Sequence, residues 1–421
     1  MSSSTQLGDW TQRVATALNG EPGRELAQVL SLRTRRKMGA FFTGEILAQQ
    51  AIPHFNNSPR YAIVFDPACG VGDLLLAAAR LLPVRKSLQA TLDLWGARLA
   101  GCDTNPEFVR ATKSRLVLMA RQRITTASKT KSLDLRSIFP LIRVCDGLTA
   151  IDRFTTVTWV VLNPPYGYVE APEGCRWASG KLTAAAIFFD ACLRHSSVGT
   201  RITAVLPDVL RSGTRYEKWR AMVANQCEIT RAEPYGLFDR SADVDVFILD
   251  VTKRAIIERP RNGSWFRKRV HGQTTVHDLF VVHVGSVVPH RHLQRGLRVI
   301  VPYIHARAMP PWGRVRRINE RRRFRGSLFR PPFVVIRRTS RPEDTYRATC
   351  TLVTGSRPVA VENHLVICQP HDGQQQTCER LMAKLKTEKV NKFLNYQMRC
   401  RHLTVDVVKR IPLHYYPKSC R

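Results

Sequence analysis

Between residues 61 and 252, short apolar runs alternate with stretches whose apolar residues recur at helical spacing. The runs are 61–66, 97–103, 141–146, 156–162, 201–206, 227–232 and 244–251, and helical patterns such as 105–119 and 181–196 separate most of them. Short apolar runs interleaved with helices predict an open, mostly parallel α/β sheet. The last two runs are joined without a helical pattern, which predicts that the final strand runs antiparallel. Upstream, 46–52 reads as a helix. After about residue 257 the pattern changes: Pro and Arg become frequent, β-like pieces are short (281–289, 297–304, 331–338), and a helical stretch lies near 376–396. This predicts a boundary within 255–270 and three parts: an N-terminal helical extension (1–35), an α/β domain (36–257) and a C-terminal domain (258–421). No internal repeat is visible.

Charge narrows the choice of partner. The 421 residues include 66 Lys+Arg against 33 Asp+Glu, a net +33. Of that excess, +23 falls in 258–421 and +10 in 1–257. A folded chain this basic is normally neutralised by phosphates, which points to nucleic acid. Segment 310–331 is the most basic. Arg316, Arg317, Arg321, Arg322, Arg323 and Arg325, with Trp312 and Phe324 interleaved, read as a phosphate-contacting surface, with a solvated loop as the alternative. No stretch reaches the roughly 18 apolar residues of a membrane span, and the first residues lack an apolar signal core, so a soluble intracellular protein is expected. The eleven cysteines include no Cys-x-x-Cys pair, which argues against a zinc ribbon or a disulfide framework. His290 and His292 have no accompanying cysteine or carboxylate cluster, so no metal is expected.

The sharpest chemistry lies at the ends of the apolar runs. Asp66-Pro67-Ala68-Cys69-Gly70-Val71-Gly72-Asp73-Leu74 follows one strand and opens a helix. Gly70 and Gly72 permit a tight turn and close approach of a ligand to Ala68 and its neighbours, and the helix start offers free N–H groups. Leu75 occupies the position where a dinucleotide fingerprint needs its third Gly, and no Gly-Lys-Ser/Thr follows as in a P-loop. Asp103 ends the next strand, placed either to accept both hydroxyls of a ribose or to cap the helix that starts near Asn105. Asp146 ends a third strand and is placed to accept from an exocyclic amine of a bound adenine.

Asn163-Pro164-Pro165-Tyr166 follows the run ending at Leu162. Consecutive prolines fix φ, remove two N–H donors and hold Asn163 extended. The Asn163 amide oxygen and the Pro164 carbonyl are left rigidly aimed beside an aromatic ring, a cradle for a planar –NH2 group. The amine of adenine is a poor nucleophile because its lone pair is delocalised. Two fixed acceptors can hold its hydrogens and turn the lone pair outward without a strong base.

These two motifs resemble those of the S-adenosylmethionine-dependent methyltransferases that act on N6 of DNA adenine, in the Taq-type, gamma-class order. There a Phe-x-Thr segment precedes the glycine motif and the target-recognition domain comes last; here Phe41-Phe42-Thr43 lies upstream. The family usually carries Pro after this Thr, where this chain has Gly44. The resemblance implies a class I (Rossmann-like) methyltransferase fold with a seven-stranded mixed sheet, and a C-terminal basic α+β target-recognition domain. It implies S-adenosylmethionine as cofactor, held by Thr43, Asp66, Ala68, Gly70, Gly72, Asp103 and Asp146. Thr43 would cap the helix behind it and contact the methionine carboxylate. Asn163, Pro164, Pro165 and Tyr166 would be catalytic, with Tyr166 and Phe238 stacking on a flipped base. The implied substrate is double-stranded DNA. The implied setting is a restriction–modification or related system, either solitary or with any nuclease in a separate partner, in the cytoplasm at the nucleoid of a prokaryote. RNA adenine, a protein glutamine, or a non-catalytic nucleic-acid-binding role are the competing readings.

Overall fold

The computed structural model describes residues 42–52, 62–124, 137–150, 156–238, 243–255, 265, 273–290 and 299–413, with scattered positions between 12 and 25. Most of the expected 1–35 extension, Phe41 and His292 lie outside the described residues. The chain divides into two compact units, one of residues 1–211 and 215–265, the other of 212–214 and 266–421.

Among the described residues the first unit has nine strands: β1 (Val64–Asp66), β2 (Leu99–Asp103), β3 (Ile142–Val144), β4 (Trp159–Leu162), β5 (Tyr168–Glu170), β6 (Lys181–Thr183), β7 (Arg201–Pro207), β8 (Cys227–Leu237) and β9 (Asp245–Lys253). Its helices are α1 (Gly44–Ala51), α2 (Asp73–Ala79), α3 (Leu88–Gly96), α4 (Pro106–Arg123), α5 (Gly147–Ala150), α6 (Ala184–His195), α7 (Asp208–Ser212) and α8 (Glu217–Gln226). Seven strands form one sheet in the order β3-β2-β1-β4-β7-β9-β8. β9 runs antiparallel to both neighbours, while β3, β2, β1, β4 and β7 are parallel. The seven-stranded mixed sheet is thus present, reversed where the sequence lacks a crossover helix. β1 and β4 are buried at every position, which is why they read as continuous apolar runs rather than alternating ones.

The topology positions the motifs. From β1 the chain first builds outward through β2 and β3, then returns to lay β4 on β1's other side. The carboxyl ends of β1 and β4 therefore flank the point where strand order reverses, the crevice in which open α/β sheets bind ligands. The expected helix 181–196 starts only at Ala184: residues 181–183 are strand, paired with Tyr168–Glu170 behind a turn at Gly180, whose φ is +67°.

The second unit contains a five-stranded sheet, β10-β17-β14-β15-β12, and a three-stranded one, β13-β11-β16. In chain order these are β10 (Phe280–Val284), β11 (Ile300–Ile304), β12 (Arg314–Val315), β13 (Arg321–Arg323), β14 (Phe333–Arg337), β15 (Cys350–Val353), β16 (Ala360–Val361) and β17 (Leu365–Pro370). Among the described residues four helices accompany them: α9 (Val276–Leu279), α10 (Gln375–Leu385), α11 (Glu388–Gln397) and α12 (Val405–Lys409). The helical stretch near 376–396 is two helices, because the Thr387 hydroxyl accepts from the Val390 N–H and starts a new one. Cys378, Leu381 and Leu385 form the buried stripe of α10, packed in one core with Val334, Ile336 and Leu352 of the sheet. Among the described residues no helix is long and apolar enough to cross a membrane, and no His/Cys/Asp/Glu cluster suits a metal ion.

Candidate active site

Asp66, at the end of β1, is only 2% exposed. Burial pushes its carboxyl up to about 8, opposed by the Ala68 N–H that donates to Oδ1 at 3.0 Å and reinforced by the charges of Asp103 and Asp73. The chain then turns through Gly70 and Gly72, at φ +53° and +86°. The two glycines serve different ends. The Gly70 N–H donates to Asp103 Oδ2 at 2.9 Å, tying the turn to the end of β2. A Cβ on Gly72 would sit 2.7 Å from the Thr112 side chain, so this glycine lets α4 close on the turn.

Asp103 holds two backbone amides: Gly70 on one oxygen and Asn105, at 2.8 Å, on the other. Burial raises its carboxyl and those hydrogen bonds pull it back. The cap of α4 is Asn105 itself, whose Oδ1 accepts from the Glu107 N–H at 2.9 Å. Asp146 is exposed, and its Oδ1 accepts from the Leu148 N–H at 2.9 Å, opening α5. Next to it, Gly147 packs so closely on the glycine turn that a Cβ would lie 1.8 Å from the Pro67 carbonyl oxygen.

At the end of β4, the Asn163 Nδ2 donates to Thr43 Oγ1 at 3.0 Å, and the Tyr166 hydroxyl donates to Asn163 Oδ1 at 2.6 Å. Pro164 and Tyr166 are buried, and burial raises the phenol well above its ordinary range. The Tyr166 and Phe238 rings meet edge to face, with centroids 5.7 Å apart. Thr43 does not cap α1. Its φ and ψ of −66° and −34° are already helical, so its hydroxyl makes no cap bond; Asp73 Oδ2 instead accepts from the Gly44 N–H at 2.8 Å. Gly44 has φ +71°, a conformation closed to the proline usual in the resembled family.

These strand ends surround a cavity of about 350 Å³, within the size range of small-ligand sites. Ala68, Gly70, Asp103, Asp146, Asn163 and Pro165 line it. Asp66 and Gly72 support the turn behind it. Phe42 of the Phe41-Phe42-Thr43 segment also lines the cavity, as do residues that carried no sequence signal, among them Phe108, Leu148 and Phe188. Phe42 and Phe108 stack edge to face at 5.3 Å. Phe108 falls on the first turn of a well-patterned helix, where an aromatic reads as core.

In the second unit, Arg316, Arg317 and Arg321 line a cleft of about 970 Å³ together with Arg357, Asn319 and Ser356. Arg323 and Arg325 are exposed. Arg322 is not part of an exposed surface. It is nine-tenths buried, its guanidinium 5.3 Å from the Tyr303 ring centre, and it donates to the Pro289 carbonyl at 3.1 Å. Successive residues of β13 point to opposite faces, so the run cannot act as one surface. The interleaved aromatics are also packed: Phe324 is buried, and Trp312 lies against the core with its ring edge-to-face with Tyr346.

No protein-family profile matches the chain, and no curated protein matches it. Solved structures do. The type IIL restriction–modification enzyme MmeI, solved in complex with DNA, superposes with a TM-score of 0.54 at 12% identity, over 91% of this chain and 69% of MmeI. The type IIG restriction endonuclease BpuSI gives 0.40 at 12% identity, over 91% of this chain and 58% of its own. The M protein of the type I restriction enzyme EcoKI gives 0.35 at 16%, over 58% and 62%. The chain spans under two thirds of the length of the latter two. Its likeness to MmeI is one of fold: over nine tenths of its length the chain folds like that restriction–modification enzyme.

Proposed function

We propose that the chain transfers a methyl group from S-adenosylmethionine to N6 of adenine in duplex DNA, as the modification enzyme of a restriction–modification system. The observation that carries this reading is the position of Asn163-Pro164-Pro165-Tyr166. It ends β4 beside the glycine turn, with Asn163 and Pro165 on the rim of the cavity that turn helps to form.

The donor set fits the cofactor. Asp103 and Asp146 offer acceptors for ribose hydroxyls and a ring amine, and their charge suits a cationic ligand. Phe42, Phe108 and Leu148 offer apolar faces to a purine. When bound, S-adenosylmethionine supplies a methyl carbon on a positively charged sulfur, which departs as a neutral thioether. The chain's own contribution is placement. The Asn163 Oδ1 and the Pro164 carbonyl take the two amine hydrogens of a flipped-out adenine and point its lone pair at the methyl carbon. The two oxygens would stabilise the positive charge that methylation places on N6, until the surplus amine proton leaves to water. Tyr166 and Phe238 must part from their edge-to-face contact for a base to stack between them. The exposed arginines of the second unit would hold DNA phosphates.

The test is transfer of tritiated methyl to duplex DNA, ribosomal RNA and a glutamine-containing protein in parallel. Label is expected in DNA alone, recovered as N6-methyladenine. Label in RNA or protein and none in DNA overturns the reading.

A further inference from the structure

The amide of Asn163 lies between two hydroxyls, Thr43 on its nitrogen and Tyr166 on its oxygen. The two differ in what happens when a substrate amine arrives. The amine must donate to Asn163 Oδ1, where the Tyr166 phenol now donates at 2.6 Å. A base between Tyr166 and Phe238 also forces apart rings whose centroids are 5.7 Å apart. The phenol is therefore the contact that gives way, and Thr43 is the one that stays.

Thr43 is well built for that task. The next residue, Gly44, turns the chain at φ +71° and donates its N–H to Asp73 Oδ2 at 2.8 Å. The other carboxylate oxygen of Asp73 accepts from Arg115 at 2.8 Å, and both side chains are 4% exposed. A buried ion pair between α2 and α4 thus fixes the segment that carries the Thr43 hydroxyl. This hydroxyl caps nothing in α1.

We infer that Thr43 is a positioning residue for Asn163: its hydroxyl holds Nδ2 so that Oδ1 stays aimed at the target amine once the Tyr166 hydroxyl has been displaced. This rests on the adenine-methylation reading, and it departs from a role for Thr43 on the cofactor's carboxylate. The two roles separate in measurement.

Thr43→Val keeps the shape and removes the hydroxyl; Thr43→Ser keeps the hydroxyl. Single-turnover methylation of duplex DNA at saturating cofactor is measured beside calorimetric cofactor affinity and thermal melting. Thr43→Val is expected to slow methyl transfer about 5- to 10-fold, the worth of one hydrogen bond made at the reacting group. Its cofactor Kd and melting temperature should match wild type, and Thr43→Ser should recover most of the rate. A Thr43→Val enzyme as fast as wild type overturns the inference, as does one whose loss lies in cofactor Kd and vanishes at saturation. A wild-type protein that labels no DNA overturns the methylation reading itself, and this inference with it.

Discussion

Asn163 carries the most direct expectation at the scale of single residues, because its oxygen is one of only two acceptors proposed for the target amine. Asn163→Ala should slow methyl transfer by roughly 100-fold or more, as loss of one oriented polar group in a site does. Cofactor affinity, read by calorimetry, should hardly change; a wild-type rate would remove the amide from the chemistry. Asp66 gives a prediction in pH. Its carboxyl ordinarily titrates at 3.8 and is pushed up to about 8 when folded. Between those values the folded chain keeps a proton that the unfolded chain has released, so stability falls as pH rises through the window and levels off above it. Asp66→Asn keeps an acceptor for the Ala68 N–H and cannot ionise. Its melting temperature should equal wild type near pH 4 and exceed it at pH 9; parallel curves for the two proteins would show that Asp66 is not so shifted. These residues were legible because each needs an uncommon chemical type at a strand end. Thr43 was found as well, but not what it touches, since Asn163 lies 120 positions away.

At the scale of elements, the central strands β1, β2, β4, β7 and β9 were legible because burial on both faces leaves nearly unbroken apolar runs, and the missing helix before β9 gave away its reversed direction. The β5–β6 hairpin was not, because Tyr168 and Val169 are exposed and the short pair has little apolar signature. The second unit was less legible still. Its strands are short, and the pairings of β11 with β13 and of β12 with β15 bring together segments that pattern alone cannot match. Gly147 shows the same gap at a junction. A lone glycine after an acidic residue carries no signal, yet here a Cβ would collide with the Pro67 backbone. Gly147→Ala must push the Asp146 loop off the glycine turn. Overpacking of this kind typically costs about 1–3 kcal/mol, and cofactor affinity should fall with it. Thermal melting and calorimetry together check this. A variant with unchanged melting and unchanged affinity would mean that the two loops can separate freely.

At the scale of the molecule, net charge pointed to a polyanionic partner, but the fold decides which charges can reach one. Between 316 and 325 the sequence presents six arginines as one basic run; the structure withdraws Arg322 and gathers Arg316, Arg317 and Arg321 with Arg357 into a cleft. Each phosphate contact to duplex DNA adds about 0.9 to the slope of log affinity against log salt. Replacing Arg316, Arg317 and Arg321 by Ala should therefore lower the slope by up to about 2.7 if each meets one phosphate. It should weaken all sequences alike, because phosphate contacts position the duplex without reading it. Arg322→Ala should behave differently. It removes a cation–π contact and a backbone hydrogen bond from the interior, so melting temperature should drop while the salt slope holds. Fluorescence-anisotropy titrations of duplexes of two unrelated sequences, at several salt concentrations, separate the two effects. If the triple variant keeps the wild-type slope while Arg322→Ala flattens it, DNA is held by another face, and the cleft has some other ligand.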